Sequence, residues 1–244
     1  MNNSFQTHPA QGLRALVTGG SSGIGSGIVE GLSAHGVSVD FTGLTAEEIA
    51  NADAPDTATG HVLDLGDHDA IDALAASFDR LDILVNCAGM IARNAEFEPD
   101  MFDRVLQINL SGTMRMCVAC RPLLAASNGC IVNTASMLSF FGGPAVPAYT
   151  ASKGGVAQLT KSLAAAWAAD GVRVNAIAPG WIETPLTSEL ARDEARSRAL
   201  LDRTPMNRWG RPEDIAGPVV FLCSPAAGFM TGAVIPIDGG YAAV

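Results

Sequence analysis

The sequence predicts an α/β protein with one doubly wound parallel sheet of about seven strands and helices on both faces. Short apolar runs alternate along the chain with longer segments whose apolar residues recur at helical spacing. The apolar runs are almost uninterrupted, as expected for strands that are buried on both faces. Such alternation favours a parallel sheet with a crossover helix between successive strands.

The predicted strands are short segments rich in Val, Ile and Leu. They cover residues 13–19, 37–43, 60–65, 81–89, 129–136, 172–180 and 233–240. The segments between them include residues 23–36 and 149–171, which carry apolar residues at helical spacing and end in glycine. These are predicted to be helices that cover the sheet.

The chain is predicted to form a single domain over residues 12–244, because no linker, repeat or low-complexity stretch interrupts the alternation. Residues 1–11 are predicted to be a flexible tail. Residues 180–212 are rich in Pro, Thr and Arg and lie outside the alternation. Ligands of such sheets bind beyond the carboxyl ends of the strands, so this segment is expected to be a substrate lid.

Charge and composition exclude several classes of function. A net charge of −10, without a cluster of Lys and Arg, argues against a nucleic-acid partner. No apolar run approaches the roughly 20 residues of a membrane helix, and the amino terminus does not resemble a signal peptide. The expected location is therefore the cytoplasm, with a small molecule as the partner.

The five cysteines, at positions 87, 117, 120, 130 and 223, predict no disulfide framework because their number is odd and no secretion signal precedes them. Cys117 and Cys120 form an isolated CxxC within a helical stretch and are expected to be packing residues. The four histidines are scattered, so no metal site is predicted.

A glycine-rich loop, TGGSSGIG, follows the first predicted strand at residues 18–25. Gly19, Gly23 and Gly25 permit a tight turn and let backbone N–H groups approach a pyrophosphate at the start of a helix. Because the loop joins the first strand to the first helix, it predicts a dinucleotide cofactor.

The end of the second strand indicates which dinucleotide is preferred. An acid there would bind the ribose 2′-hydroxyl of NAD, and an Arg would suit the 2′-phosphate of NADP. This chain has Gly43 and Leu44 at that point, with Ser21 and Ser22 in the glycine loop and two glutamates at 47–48. A 2′-phosphate would meet negative charge and no cation, so NAD is favoured over NADP.

Tyr149 and Lys153 are four residues apart and would share one face of a helix. A nearby ammonium favours the phenolate of a tyrosine, whose ordinary pKa is about 10. An isolated pair of this kind would usually be a surface feature. Here Ser136 closes the fifth strand, and Asn109 lies in the middle of a predicted helix, where asparagine is unfavourable unless its side chain is used.

Seven motifs occur in one order along the chain. They are TGxxxGxG at 18–25, NxAG at 86–89, Asn109, Ser136, YxxxK at 149–153, PG at 179–180 and DGG at 238–240. On these motifs the chain resembles the classical short-chain dehydrogenase/reductase family over residues 12–244. The resemblance implies a Rossmann-like fold, interconversion of an alcohol and a ketone with NAD(P), and a homotetramer.

The resemblance also implies roles for the four catalytic candidates. Tyr149 would be the general acid in reduction or the base in oxidation, and Ser136 would hydrogen-bond the same substrate oxygen. Lys153 would lower the pKa of the tyrosine and bind the nicotinamide ribose. Asn109 would hold a water that links Lys153 to solvent.

The cofactor contacts that the resemblance implies run along the whole motif series. They are Gly19, Ser21, Ser22, Gly23, Ile24, Gly25, Asp64, Leu65, Asn86, Ala88, Gly89, Tyr149, Lys153, Pro179, Gly180, Ile182 and Thr184. Asp64 and Leu65 would contact the adenine, and Ile182 and Thr184 the carboxamide. Cys87 departs from the family, which more often has a second asparagine there.

The second half of the chain narrows the substrate class. Residues 135–156, 174–187 and 200–222 resemble the branch of the family that acts on deoxy-gluconates, which is typically NAD-linked. A sugar acid requires a cation in the site, and Arg93 is the first candidate, followed by Arg203 and Arg208. Met137, Leu138 and Trp181 are expected to line the substrate pocket.

Two other functions stay open at this point. A general ketone or 3-oxoacyl reductase would usually use NADP and carry a basic residue in the glycine loop or after the second strand, and this chain has none there. A regulator that binds a dinucleotide without catalysis would usually have lost part of the Tyr, Lys and Ser set, which is complete here.

Overall fold

The computed structural model describes residues 7–9 and 11–244. Residues 1–6 and 10, which make up most of the predicted tail, lie outside the described residues. Seven strands form one parallel sheet in the order β3-β2-β1-β4-β5-β6-β7. Their bounds are β1 Arg14–Thr18, β2 Ser38–Gly43, β3 Thr59–Val62, β4 Ile83–Asn86, β5 Cys130–Thr134, β6 Arg173–Pro179 and β7 Val234–Ile237.

The predicted fold class is confirmed: each of the seven predicted strands overlaps one observed strand, and every pairing is parallel. Most observed strands are shorter than the apolar runs. At their carboxyl ends these runs leave the sheet and become the loops that build the candidate site.

Helices cover both faces of the sheet. Their bounds are α1 Gly23–Ala34, α2 Ala46–Ala50, α3 His68–Ala76, α4 Pro99–Leu106, α5 Thr113–Ser127, α6 Pro147–Trp167, α7 Ser188–Arg192, α8 Glu194–Arg203 and α9 Pro212–Leu222. A π-helical turn, Gln107–Gly112, joins α4 to α5 without a break. Among the described residues, no helix is both long enough and apolar enough to cross a membrane.

Two apolar cores lie against the opposite faces of the sheet, and the alternation of side chains along β1 divides them. Ala15 and Val17 pack toward α1 and α9, whereas Leu16 packs toward α3, α5 and α6. All three side chains are fully buried. Burying one Val or Leu side chain contributes about 1.5–3 kcal/mol, so the apolar runs that predicted the strands also hold the two helical layers in place.

The reversal of strand order falls between β1 and β4, which are neighbours in the centre of the sheet. Ligand clefts of such sheets form where the order reverses, beyond the carboxyl ends of the strands. The Thr18 hydroxyl, at the end of β1, accepts hydrogen bonds from the backbone N–H groups of Cys87 (3.1 Å) and Ala88 (3.2 Å). The glycine loop and the loop after β4 are therefore joined at this point.

The segment 180–212 leaves the sheet after β6 and carries α7 and α8. Its base is closed by a parallel bridge between Ile182 and Gly210, in which the Gly210 N–H donates to the Trp181 carbonyl at 2.9 Å. The segment is thus an excursion that leaves the carboxyl edge of the sheet after β6 and returns to it at Gly210.

Among the residues that the structure describes, the side chains that often bind metals or form crosslinks make neither a metal cluster nor a disulfide. The five cysteines are free thiols. Within the described part of the chain, no group of three or more His, Cys, Asp or Glu residues is arranged to hold a metal ion.

Candidate active site

Tyr149 and Lys153 lie in the first turns of α6, which begins at Pro147, a residue whose missing N–H is unused at a helix start. The Lys153 ammonium lies 5.5 Å from the centroid of the Tyr149 ring. Lys153 is only 4% exposed and donates to the Thr134 carbonyl at the end of β5, at 2.6 Å. The two residues predicted to share a helical face therefore do so, at the edge of the sheet.

Ser136 lies two residues beyond the end of β5 and is buried. Its hydroxyl accepts a hydrogen bond from the Leu138 N–H at 3.2 Å, which caps the short 3₁₀ turn Met137–Ser139. The Ser139 hydroxyl donates to the Lys153 carbonyl at 2.7 Å and ties this loop to α6. The loop thereby brings Ser136 close enough to interact with the phenol of Tyr149.

Asn109 occupies the π-helical turn and is almost fully buried. Its amide oxygen accepts from the Met90 N–H at 2.8 Å, and its amide nitrogen donates to the Met90 carbonyl at 2.9 Å and to the Ser152 hydroxyl at 3.1 Å. The Asn109 side chain therefore joins the loop after β4 to α6. Turns of this kind inside α-helices are frequent at functional sites.

Burial governs the protonation of the pair. Tyr149 is half-buried, and burial of its phenol raises the pKa to about 12, although a hydrogen bond with Ser136 and the charge of Arg93 act to lower it. Burial also lowers the pKa of Lys153 to about 8. The expectation that Lys153 brings the pKa of Tyr149 down is thus not met by the polypeptide alone, because burial disfavours the charged form of both groups.

A cleft of about 590 Å³ runs from the glycine loop to Tyr149 and Lys153. Thirteen of the predicted cofactor contacts line it: Gly19, Ser21, Ser22, Gly23, Ile24, Gly25, Asp64, Leu65, Ala88, Gly89, Tyr149, Lys153 and Thr184. The predicted adenine contacts and the predicted catalytic pair are therefore at two ends of one continuous cleft.

Four predicted cofactor contacts lie elsewhere. The Asn86 amide nitrogen donates to Asn133 at 2.9 Å and to the Cys117 sulfur at 3.2 Å, so this side chain faces the interior of the sheet. Pro179, the last residue of β6, pairs with Ile237 of β7, and Gly180 packs against Asp238. The Ile182 side chain is buried in the apolar core on the α1 and α9 face.

The glycine loop has the shape that a pyrophosphate requires. Gly19 has a φ of +67°, and a Cβ there would lie 2.7 Å from the Ala88 Cα; a Cβ on Gly25 would lie 2.0 Å from the Gly19 carbonyl oxygen. The loop leads into α1, whose N-cap residue Ser22 makes no side-chain cap and whose first turn has no acid. The N–H groups at this helix start are thus suited to a phosphate, and the cleft fits a dinucleotide.

The end of the cleft beside β2 carries a carboxylate. Glu48 of α2 accepts a hydrogen bond from the Leu44 N–H at 2.7 Å and lines the cleft next to Gly43. A cation, Arg104 of α4, lies nearer the predicted adenine contacts, with its guanidinium 3.9 Å from the Asp64 carboxylate. Arg104 was not predicted from the sequence, because no local pattern distinguishes it from other exposed helix arginines.

The three arginines proposed as carboxylate anchors have different surroundings. Arg208 forms two short hydrogen bonds, 2.6 and 2.8 Å, with the Asp214 carboxylate. Arg203 stacks on the Tyr241 ring, 4.3 Å from its centroid. Arg93 makes one long contact, 3.5 Å, with the Leu186 carbonyl, and its charge lowers the pKa of Tyr149 after the larger effects of burial and Ser136. Arg93 is therefore the least committed of the three, and it is near enough to the phenol for its charge to affect the pKa of Tyr149.

The three predicted pocket residues are not among those that line the cleft, and Trp181 instead lines a smaller cavity of about 160 Å³ together with Arg208. Met137 is buried and Leu138 is half-buried, directly after Ser136. Trp181 stands edge-on to Trp209 and to Tyr241, with ring centroids 6.0 and 6.4 Å apart. These rings and Phe141, which stacks on Tyr241, join the segment 180–212 to the loop after β5 and to the carboxyl terminus.

One site residue had no signal in the sequence. Glu96 is fully buried, and its carboxylate accepts hydrogen bonds from the N–H groups of Ala92 and Tyr149. In the sequence it is one of several acids in a stretch between two apolar runs, and nothing there separates it from a solvated loop residue.

Comparison with known proteins agrees with this geometry. A family model described as enoyl-(acyl carrier protein) reductase matches residues 19–242. The 2-dehydro-3-deoxy-D-gluconate 5-dehydrogenase of Pseudoalteromonas atlantica is 42% identical over 246 residues, which cover 95% of this chain and 96% of that protein.

Two solved structures are similar over nearly their whole length. One is a candidate 2-deoxy-D-gluconate 3-dehydrogenase from Agrobacterium tumefaciens with bound NADP. It is 43% identical and has a TM-score of 0.88, and the match covers 98% of this chain and 100% of that one. The other is a gluconate 5-dehydrogenase from Burkholderia cenocepacia in complex with NADP and tartrate, 33% identical with a TM-score of 0.89, and the match covers 97% of each chain. The chain belongs to the short-chain dehydrogenase/reductase family of NAD(P)-dependent oxidoreductases.

Proposed function

We propose that the protein interconverts a secondary alcohol and a ketone on a sugar acid of the deoxy-gluconate type, with Tyr149 as the general acid or base. One observation carries this proposal. At the end of a cleft that fits a dinucleotide, the phenol of Tyr149 interacts with Ser136, and a weakly committed cation, Arg93, is near enough to lower the pKa of the phenol. The relative from P. atlantica acts on such a sugar acid, and the one from B. cenocepacia binds tartrate, a hydroxy diacid.

Four residues of the site would each have a separate role in this reaction. A nicotinamide bound in the cleft would supply or accept the hydride. Tyr149 gives its phenol proton to the carbonyl oxygen in reduction and takes it back in oxidation, while the Ser136 hydroxyl hydrogen-bonds the same oxygen. Lys153 holds its ammonium beside the phenol ring and offers donors to ribose hydroxyls, and Asn109 fixes the loop after β4 against α6.

The high pKa of Tyr149 suits donation of a proton more than its removal. For oxidation near neutral pH the phenolate must be stabilised further, and the positive charges of Lys153 and of an oxidised nicotinamide ring would act in that direction. The pKa of the phenol should therefore be lower in the complex with an oxidised cofactor.

The substrate class is tested by Arg93→Ala, assayed with sugar acids, neutral polyols and simple ketones. The variant should raise KM for an acidic sugar about tenfold or more, because a charge-assisted hydrogen bond contributes about 1.5–3 kcal/mol. KM for a neutral ketone should stay within about twofold. Arg208→Ala is the control, since its guanidinium is already paired with Asp214.

Equal effects of Arg93→Ala on acidic and neutral substrates would remove Arg93 as the anchor. Turnover of neutral ketones or 3-oxoacyl thioesters, with none on any sugar acid, would favour a general ketone or 3-oxoacyl reductase. Failure to turn over any substrate while still binding the dinucleotide would favour a regulator. Tyr149→Phe tests the acid–base role, because activity near that of the wild type would exclude it.

We propose NAD(H) as the preferred cofactor. The support is the Glu48 carboxylate, which lines the cleft beside Gly43 where a 2′-phosphate would bring further negative charge. The two similar structures hold NADP, so this is the point on which the chain would differ from them. The ratio of kcat/KM for NAD and NADP measures the preference, and a ratio in favour of NADP would contradict it.

We further propose that the segment 180–212 is a lid over the substrate and that the chain assembles as a homotetramer through the helices that carry Asn109 and Tyr149. Met114 and Val118, on the exposed side of α5, are 36% and 49% exposed and would be covered by such an assembly. Light scattering coupled to gel filtration would give the mass of the assembly, and a monomer would contradict the proposal.

A further inference from the structure

Glu96 is a buried carboxylate on the short 3₁₀ turn Ala95–Phe97, between β4 and α4. Its residue is 0% exposed. One carboxylate oxygen accepts from the Ala92 N–H at 2.9 Å and the other from the Tyr149 N–H at 2.8 Å. Across residues 7–9 and 11–244, no Lys, Arg or His makes an ion pair with it.

The two hydrogen bonds compensate the Glu96 carboxylate for the hydration that it loses on burial. A buried carboxylate is costly unless hydrogen bonds replace its hydration. Tyr149 is the third residue of α6, so its N–H is one of the groups at the helix start that have no partner within the helix. The positive end of the α6 dipole also faces the carboxylate and interacts favourably with its charge.

These bonds connect two parts of the candidate site that are 53 residues apart in the chain. Ala92 precedes Arg93, the proposed carboxylate anchor, and Asn94 follows it. The Asn94 N–H donates to the Ala145 carbonyl at 2.9 Å, two residues before α6 begins. Both neighbours of Arg93 are therefore attached to the amino end of the helix that carries Tyr149. The Ala92 N–H is attached through the Glu96 carboxylate, and the Asn94 N–H through the Ala145 carbonyl.

We propose that Glu96 is a positioning residue, which holds the substrate anchor Arg93 and the phenol of Tyr149 in a fixed arrangement relative to each other. This inference rests on the proposed function, because it takes Tyr149 as the acid–base group and Arg93 as the anchor. Glu96 itself touches backbone atoms and acts through the two residues that it holds.

The charge of Glu96 gives the inference a second, independent readout. Burial has the largest effect on the pKa of Tyr149 and raises it, and the negative charge of Glu96 adds to that rise. Removing the charge should therefore lower the pKa of the phenol. The other titratable or charged groups around the phenol come from every neighbouring element and are Cys87 after β4, Arg93 in the following loop and Lys153 on α6 itself.

The experiment compares Glu96→Gln with Glu98→Gln in the purified full-length protein, at a saturating dinucleotide concentration. Glu98 is exposed and two residues away, so the control makes the same change of charge without touching either hydrogen bond. In Glu96→Gln the amide oxygen can accept one N–H, but the NH₂ group cannot accept the other. We expect KM for an acidic sugar to rise and kcat to fall, each about tenfold, since one hydrogen bond is lost and the other no longer has a charged acceptor.

The pH profile separates positioning from a loss of folding. In Glu96→Gln the apparent pKa for oxidation should move to lower pH, whereas Glu98→Gln should match the wild type. Glu96→Asp keeps the charge and shortens the reach, so it should retain the wild-type pH profile while KM rises. If Glu96→Gln does not fold, Glu96→Asp becomes the test of the inference. Wild-type kinetics in Glu96→Asp would then overturn it.

Wild-type kinetics and pH profile in Glu96→Gln, together with an inactive Tyr149→Phe, would overturn this inference and leave the proposed function standing. An active Tyr149→Phe would overturn both. The two failures are thereby distinguishable.

Discussion

Replacing Lys153 by methionine should change how the stability of the protein depends on pH. The ammonium of Lys153 is 4% exposed, and burial lowers its pKa from 10.5 to about 8. Below pH 8 the group is charged in both the folded and the unfolded chain, so its burial is a cost to folding. Between pH 8 and 10.5 the unfolded chain holds the proton that the folded protein has released, and stability rises with pH.

The size of the effect follows from the same two pKa values. Each pH unit that separates them corresponds to about 1.4 kcal/mol, so the charged lysine costs the folded state about 3 kcal/mol at neutral pH. From pH 7 to 9 this cost should fall by about 1 kcal/mol. Between pH 7 and 9, the free energy of unfolding of the wild type should therefore rise by about 1 kcal/mol relative to that of Lys153→Met.

The assay is urea unfolding at pH 7, 8 and 9, followed by the fluorescence of the three tryptophans. Lys161→Met is the matched control, because Lys161 is on the same helix and its side chain is exposed. The control should follow the wild type at every pH. The reasoning is refuted if the difference between the wild type and Lys153→Met is the same at pH 7 and pH 9.

The remaining predictions concern the cofactor cleft. In Gly25→Ala the new Cβ would lie 2.0 Å from the Gly19 carbonyl oxygen, so the loop must move, and the Kd for the dinucleotide should rise at least about tenfold in a fluorescence titration. Gly217→Ala on α9 meets no atom within 4 Å and should leave this Kd unchanged while it stabilises the protein by about 0.5–1 kcal/mol. Glu48→Gln removes the carboxylate beside Gly43 and should shift the kcat/KM ratio about tenfold toward NADP, whereas Glu47→Gln should not; equal ratios in both variants would contradict the role of Glu48.

The sequence predicted the fold because its two strongest signals are local. Strands buried on both faces must be apolar throughout, and the seven runs are; the site motifs follow the strands, so a parallel sheet gathers them at one edge. The spacing of Tyr149 and Lys153 predicted a shared helical face for the same reason.

The sequence could not predict what depends on distant neighbours. Arg208 is neutralised by Asp214, and the Asn86 side chain turns into the sheet toward Asn133; neither follows from a motif. The pKa of Tyr149 was expected to fall because the lysine spacing was visible and the burial was not. Glu96 was missed because its partner, the Tyr149 N–H, is 53 residues away.

The position of β1 in the sheet has a consequence for the synthesis of the chain. β1 is made first, but one of its edges stays unpaired until β4, residues 83–86, has left the ribosome. An unpaired apolar strand edge is prone to aggregate, and domains begin to fold while they are being translated. Lys153 and Tyr149 arrive later still, so we expect a nascent chain to extend beyond residue 153 before a dinucleotide can stabilise it.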